Sequence, residues 1–333
     1  MTAAPSKDLT QPEVAAAYYD ERYQSGYMQE WPAEKLARVA TFVERLQLPS
    51  SGAFLDFGCG TGVFTALLQR ALPGWRACGS DIVDLALEKA RERCSGGEFF
   101  RLDQLAGRRF DFVFSHHVLE HVQNLDETLV HLAQLTRPGG AMIVIMPCGN
   151  AGSLEHDICS ARRDGIDAGC GNRFFFEDEG HLRRLTTAEL AAAAALHGFT
   201  VQRQSFANHH HGALKWLTEQ SPAWLKRTLD PAAAIDAKAG SWLRALRRRV
   251  LRLRFLRRPP SLLIPGMEWR LQKRDRSLIE NAALIISNPV TIVSGVVERW
   301  LQAKDEQEWT ERAGDERGSE MYVVFVKSGD MTS

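Results

Sequence analysis

The sequence predicts a doubly wound α/β fold: a mostly parallel sheet with a helical insertion before its last strand. Three observations predict it. Between residues 53 and 147, short apolar runs alternate with helix-forming ones, as in strands joined by helical crossovers. The first run opens into a glycine cluster, DFGCGTG at 56–62, of the kind that turns a strand sharply into a helix. After a long helical and basic stretch at 212–318, EMYVVFVK at 320–327 reads as one more strand.

The elements follow in order. Residues 12–30 read as an aromatic helix carrying Tyr18, Tyr19, Tyr23 and Tyr27, with Trp31 just beyond it. Residues 33–47 form an amphipathic helix that ends before Pro49. AFLDF leads through the glycines into helix VFTALLQRAL, and WRACGS, closed by Asp81, leads into LALEKARERC. A third pair is EFF and LDQL; a fourth strand, FDFVF, runs into SHHVLEH. DETLVHLAQLTRPGG reads as helix plus stop, and AMIVIMP as a buried strand. Residues 148–182 read as a loop region rich in Gly, Asp and Arg around Phe174, Phe175 and Phe176. LTTAELAAAAALHGF is a helix with Thr186 or Thr187 as N-cap and Gly198 at its end, and TVQRQSF is a strand. The expected organisation is an N-terminal helical cap (1–48), a core (49–211), a basic helical insertion or lid (212–318) and a final strand with its tail (319–333).

Composition narrows the function classes. At 333 residues, 44% hydrophobic and 25% charged, the chain is ordinary globular protein. Lys plus Arg equal Asp plus Glu at 41 each, so the whole chain has no electrostatic pull on nucleic acid. The six cysteines form no CxxC pair, which favours reduced thiols and a cytoplasmic setting. The N-terminus lacks a basic segment followed by an apolar run, so no secretory signal is expected. The uncharged stretch 281–297 is short and diluted with polar residues, which argues against a spanning helix.

The glycine loop carries the chemistry. Gly58, Gly60 and Gly62 allow close backbone approach to a ligand, with a helix N-terminus aimed at it. A dinucleotide fingerprint requires a third glycine where Val63 stands. Asp56 beneath the loop would repel a pyrophosphate and attract a cationic group, so the loop suits a cationic cofactor.

FLDFGCGTG, Asp81, LDQL, FDFVFSHHVLEHV and LTRPGGAMIVIMP together resemble the class I S-adenosylmethionine-dependent methyltransferases, specifically the small-molecule type that includes ubiquinone-biosynthesis enzymes. The pieces stand in the family's order over residues 53–147, with weaker similarity in GHLRRLTTAEL and EMYVVFVK. The resemblance implies a Rossmann-like sheet and S-adenosyl-L-methionine as cofactor. It puts Gly58, Gly60 and Gly62 along the methionine and ribose part, with Asp56 near the amino group. Asp81 would take both ribose hydroxyls, which suits a carboxylate's paired acceptor oxygens. Asp103 would bond the adenine amino group, with Leu102 and Gln104 flanking the ring. Ile82 and Ser115 complete the implied cofactor-binding set.

His117, Glu120 and His121 form an H-x-x-E-H string, which on a helix resembles an inverted zinc-protease motif. Its strand-to-helix context inside a nucleotide-binding core, without an obvious third ligand, makes it a methyltransferase segment instead, and no metal is expected. Glu155, His156 and Cys159 with Cys170 match no zinc spacing either. His116 and His117 lie at the carboxyl end of a strand, where open α/β sheets bind ligands. They and His181 are the candidates to meet the methyl acceptor, with a packing role open for each. His209, His210 and His211 read as a solvated loop at the rim.

Residues 214–276 hold 16 Lys and Arg against 5 Asp and Glu. Within them Leu243, Leu246, Val250 and Leu253 form one helical stripe among arginines. That pattern fits either peripheral contact with an anionic membrane through 243–258 or a cap helix with a solvated basic face. The expected enzyme methylates oxygen, nitrogen or carbon of a small-molecule or lipid-like acceptor. Its rivals are a dinucleotide-dependent oxidoreductase and a non-catalytic cofactor-binding member of the fold.

Overall fold

The computed structural model describes residues 12–25, 30–178, 180–258, 277–287 and 291–329. Tyr27, the basic residues of 259–276 and positions 288–290 of the uncharged stretch lie outside the described residues. The helices are α1 (Pro12–Gln24), α2 (Ala33–Glu44), α3 (Val63–Ala71), α4 (Asp84–Arg93), α5 (Leu125–Leu135) and α6 (Leu154–Ser160). They continue with α7 (Thr187–Ala195), α8 (His210–Glu219), α9 (Pro222–Thr228), α10 (Ala237–Arg257), α11 (Leu278–Ser287) and α12 (Thr291–Arg312). The main strands are β1 (Gly52–Phe57), β2 (Trp75–Ser80), β3 (Glu98–Phe100), β4 (Phe110–His116), β5 (Thr136–Pro147), β8 (Phe199–Ala207) and β9 (Glu320–Lys327). Short β6 (Ile166–Asp167) and β7 (Arg173–Phe174) pair antiparallel by themselves.

The main sheet runs β3-β2-β1-β4-β5-β9-β8, with helices on both faces, and β1 to β5 pair in parallel. Parallel strands covered on both sides are apolar along their length: β1 is buried from Ala53 to Phe57 and β4 from Phe112 to His116. Phe54 and Phe112, opposite each other in the β1–β4 register, stack at 5.3 Å. The strand order reverses at β1, which has β2 on one side and β4 on the other. This is the switch point where open α/β sheets form their ligand crevice, at the carboxyl ends of the strands.

Two compact units divide the chain: residues 1–147, 178–204 and 321–333 form one, and 148–177 with 205–320 form the other. The second unit has its own core, in which Leu214, Leu217, Leu225, Leu229, Leu243, Val250 and Leu301 are fully buried.

Some local expectations are corrected. TRPGG does not end α5 as a stop but already belongs to β5; the β4–β5 register jumps from Phe110↔Thr136 to Phe112↔Ala141. Pro138 has no N–H for the ladder and Gly139 turns at φ +73°, so the segment bulges out. Helix α2 stops at Glu44, and Gln47 takes a left-handed φ of 52°. The expected loop at 148–182 contains α6, capped by Ser153, as well as β6 and β7. HVLEH is not at a helix start: residues 117–121 form a bend and a turn, and α5 begins only at Leu125 after the Asn124 cap. The Leu243–Leu246–Val250 stripe of α10, with Leu253 packed alongside, faces its own unit's core.

Candidate active site

The loops leaving β1 and β4 flank the switch point. In the first, Gly58, Gly60 and Gly62 all have left-handed φ angles, of 73°, 51° and 75°. A Cβ at Gly58 would come 2.4 Å from Val118 Cγ2, and one at Gly60 would come 2.9 Å from the Tyr23 hydroxyl. At Gly62 it would meet Ala90 Cβ of α4 at 2.9 Å. Glycine is therefore required for backbone conformation and for close packing together. The N–H groups of Gly58 and Cys59 both donate to the Ser80 carbonyl at 2.8 Å, stapling the loop to the end of β2.

Asp81 follows β2 and is almost fully buried. Gly60 N–H donates to its Oδ2 at 2.9 Å and Val83 N–H to its Oδ1 at 3.0 Å. Burial raises its pKa, against the lowering effect of these backbone donors. Asp56 lies within β1 at 2% exposure, where Thr65 Oγ1 donates to its Oδ2 at 2.6 Å. Burial pushes Asp56 up to about 7, with the Asp81 charge adding to the rise and the Thr65 bond opposing it. Ile82 packs beside Tyr19, Leu85 and the buried Tyr23, Val83 and Ala86. Ser115 is buried in β4 opposite Phe57 and Val144, and its hydroxyl has no hydrogen-bond partner among the described residues. Leu102, Asp103 and Gln104 lie on a 3-10 turn at Leu102–Leu105. Asp103 is exposed, and the Gln104 side chain folds back to accept the Arg101 N–H at 2.9 Å.

The N-terminal segment brings residues to the site that the sequence reading assigned no role. Tyr23 of α1 lies against Gly60, and Lys89 of α4 donates to its carbonyl at 3.0 Å. Trp31 sets its ring edge-on to His116 at 4.8 Å and tilted over His117 at 5.7 Å. Both contacts join segments far apart in sequence, and aromatic composition was the only signal available for them.

At the end of β4, His116 is buried between Phe64 (3.9 Å) and Trp31. His117 holds a left-handed φ of 54°, costly for a side-chain-bearing residue. Its Nδ1 stands 3.1 Å from Oε1 of the fully buried Glu120, close enough for an ion pair but without the alignment of a hydrogen bond. Burial would raise the Glu120 pKa, but His117, His121 and His181 together outweigh it and draw the carboxyl down to about 2. His121 is held below its ordinary value by burial. His181, on the segment before α7, stacks edge-on to His121 at 4.6 Å. Of the candidates, His117 and His181 therefore gather around Glu120 and His121, while His116 lies against His117 at 4.5 Å.

Two other clusters are used elsewhere. Far from a solvated loop, His209 is buried with Nε2 3.0 Å from the Asp315 carbonyl; His210 and His211 open α8, and His211 Nδ1 pairs with Glu308 at 2.8 Å. Glu155 accepts from Ser319 Oγ at 2.9 Å. Among the described residues, Glu155, His156, Cys159 and Cys170 do not form a metal-holding group.

A family model described as a methyltransferase domain matches residues 23–204. A trans-aconitate 2-methyltransferase of Variovorax paradoxus is 28% identical over 141 residues, covering 41% of this chain and 49% of that protein. One from Enterobacter sp. (strain 638) is 32% identical over 127 residues, covering 36% and 49%. The chain thus spans about half the length of the curated relatives it matches. Among solved structures, magnesium protoporphyrin IX methyltransferase from Synechocystis PCC 6803 with bound SAH is 20% identical with a TM-score of 0.43, covering 59% of this chain and 93% of that one. The family match takes in more than half of the chain and the whole switch-point crevice: the chain belongs to the methyltransferase-domain family, whose cofactor is S-adenosyl-L-methionine.

Proposed function

We propose that the chain transfers the methyl group of S-adenosyl-L-methionine to a small-molecule or lipid-like acceptor. One observation carries this reading: a buried carboxylate, Asp81, sits at the switch point with each oxygen held by one backbone N–H. Each oxygen keeps acceptor capacity, which fits the two hydroxyls of a ribose. Half-buried Ile82 and Leu102 offer apolar surface for an adenine, and exposed Asp103 can accept from its amino group. Asp56 beneath the loop suits the cationic end of the cofactor. The sulfonium is itself the electrophile, so these residues mainly have to hold donor and acceptor in line for displacement. His116, His117 and His181 stand at the acceptor end, and the Trp31 ring supports an environment poor in water. The curated relatives' names favour a small organic acceptor; the atom methylated is not fixed by them.

Calorimetry with S-adenosyl-L-methionine tests this reading. Asp81→Ala and Gly60→Val are expected to weaken binding at least tenfold, since a lost charge-assisted contact costs about 1.5–3 kcal/mol. Near-native affinity in both variants, with thermal melts showing them folded, would remove the assignment. Transfer of a labelled methyl group from the cofactor into an extract then identifies the acceptor.

A second proposal concerns the membrane. On α10, Arg244, Arg248, Arg249 and Arg252 are exposed, as are Trp242, Phe255 and Leu256. Exposed Leu278, Ile279 and Ile286 of α11 add apolar surface. That combination supports docking to an anionic membrane face. Among the described residues no helix is long and apolar enough to cross a membrane.

A further inference from the structure

The segment that looked like half of a zinc-protease motif contains a feature the methyl-transfer reading does not use. Glu120 is fully buried; His117 Nδ1 stands 3.1 Å from its Oε1, but among the described residues neither carboxylate oxygen accepts an aligned hydrogen bond. A buried carboxylate with one unaligned imidazole beside it is costly unless a further cation stands against it. One oxygen of Glu120 and one ring nitrogen from each of His121 and His181 all lie within 4.8 Å of one another. Donors around a tetrahedral ion at about 2.1 Å stand about 3.4 Å apart, so small side-chain rotations would close the set.

The surroundings orient these donors. His121 Nδ1 lies 2.9 Å from the Gly180 carbonyl oxygen, which can only accept. The ring proton therefore sits on Nδ1, and Nε2 keeps its lone pair, the arrangement by which a second partner fixes a ligating imidazole. The Tyr19 hydroxyl lies 2.9 Å from the same nitrogen. The two segments that supply the donors are tied together through their main chains. Leu182 N–H donates to the Glu120 carbonyl at 2.8 Å, and Arg183 donates to the carbonyls of Leu119 (2.9 Å), Gln123 (2.8 Å) and Val122. Asp178, paired with Arg22, accepts the Gly180 N–H at 2.8 Å and its carbonyl accepts the His181 N–H at 3.0 Å. A donor triad held this firmly is built as a ligand set should be.

We infer that Glu120, His121 and His181 form a binding site for one divalent transition-metal ion. One carboxylate oxygen with two imidazole nitrogens is a borderline donor set, suited to zinc, manganese or ferrous iron rather than calcium or magnesium. His117, expected from the H-x-x-E-H spacing to be the second imidazole, is not part of the triad; His181, far along the chain, takes that place. The triad adjoins the acceptor end of the crevice. An ion there has open positions for an acceptor oxygen, a role that rests on the proposed methyl transfer, whereas the metal binding does not.

The experiment uses the full-length, tag-free protein, stripped with chelator and dialysed against zinc(II) or manganese(II), with bound metal counted by elemental analysis. One ion per chain is expected in the parent. Glu120→Gln, which keeps the shape and removes the charge, and His181→Ala, at a half-buried position, should each weaken binding at least tenfold. His156→Ala, in the other unit, should leave it unchanged. Cobalt(II) in place of zinc should give a visible absorption band that His181→Ala abolishes. If Glu120→Gln fails to fold, His181→Ala and the parent still decide the matter. No stoichiometric ion in the parent, or equal binding in the parent and His181→Ala, overturns the site. Cofactor affinity measured on the same samples separates failure of the metal site from failure of the methyltransferase reading.

Discussion

Asp56 makes the site sensitive to pH without touching the surface. Burial, its largest influence, moves the carboxyl from 3.8 up to about 7, so ionising it inside the fold is unfavourable. A raised folded-state value means that the stabilisation is fully present below the unfolded pKa and is lost as pH rises through about 7. Denaturant melts should show an Asp56 contribution to stability that falls between about pH 4 and about pH 7, by at most about 1.4 kcal/mol for each step of one in pH. Asp56→Asn should flatten that decline; the same slope in both proteins would place its source in another group. The left-handed turns of the three glycines were legible in the sequence because they lie within one strand-to-helix turn, and the places of Asp56 and Asp81 because each stands at or just after the end of a strand. Tyr23 and Trp31 were visible only as aromatic composition, since their contacts with Gly60 and His116 depend on how α1 and its following segment fold back. His181 was singled out, but its meeting with Glu120 and His121 depends on main-chain ties that no spacing encodes.

Among the elements, α10 separates an arginine's position from its charge. Arg257 is 2% exposed and donates to the Lys215 carbonyl and Thr218 Oγ1 at 2.7 Å, to Glu219 at 2.9 Å and to Glu298 at 2.8 Å. Removing it takes one donor each from the Lys215 carbonyl and the Thr218 hydroxyl, which keep their bond to each other, and leaves two carboxylates without their shared cation. Arg257→Leu should therefore cost about 3 kcal/mol, toward the low end for a broken buried pair because both carboxylates reach solvent. Arg248→Ala, on the exposed face, should cost less than about 0.5 kcal/mol. Equal losses in chemical denaturation would show that the network holds nothing. The helical period of α10 was readable, and with it the apolar stripe; the destination of that stripe was not, because a protein core and a lipid surface demand the same pattern. In the same way HVLEH has helical spacing yet forms a turn. The left-handed φ at His117 and the Asn124 cap delay α5 to Leu125, and periodicity cannot register that break.

At the scale of the molecule, the neutral total of 41 positive and 41 negative residues conceals an uneven distribution. The basic excess at 214–276 falls mostly in the second unit's helices and partly outside the described residues. With the stripe of α10 turned inward, docking would have to rest on exposed arginines and on separate apolar residues of α10 and α11. Each cation near an anionic surface contributes about 1 kcal/mol and fades within a Debye length, so four exposed arginines suffice for reversible, salt-sensitive binding. Flotation should recover the protein with vesicles containing anionic lipid and not with neutral ones, and raised salt should release it. Replacing Arg244, Arg248, Arg249 and Arg252 with Glu should abolish recovery, whereas Leu278→Ser with Ile279→Ser should weaken it at every salt concentration. No recovery with anionic vesicles at low salt would mean that these arginines face only water and that the insertion acts without a membrane.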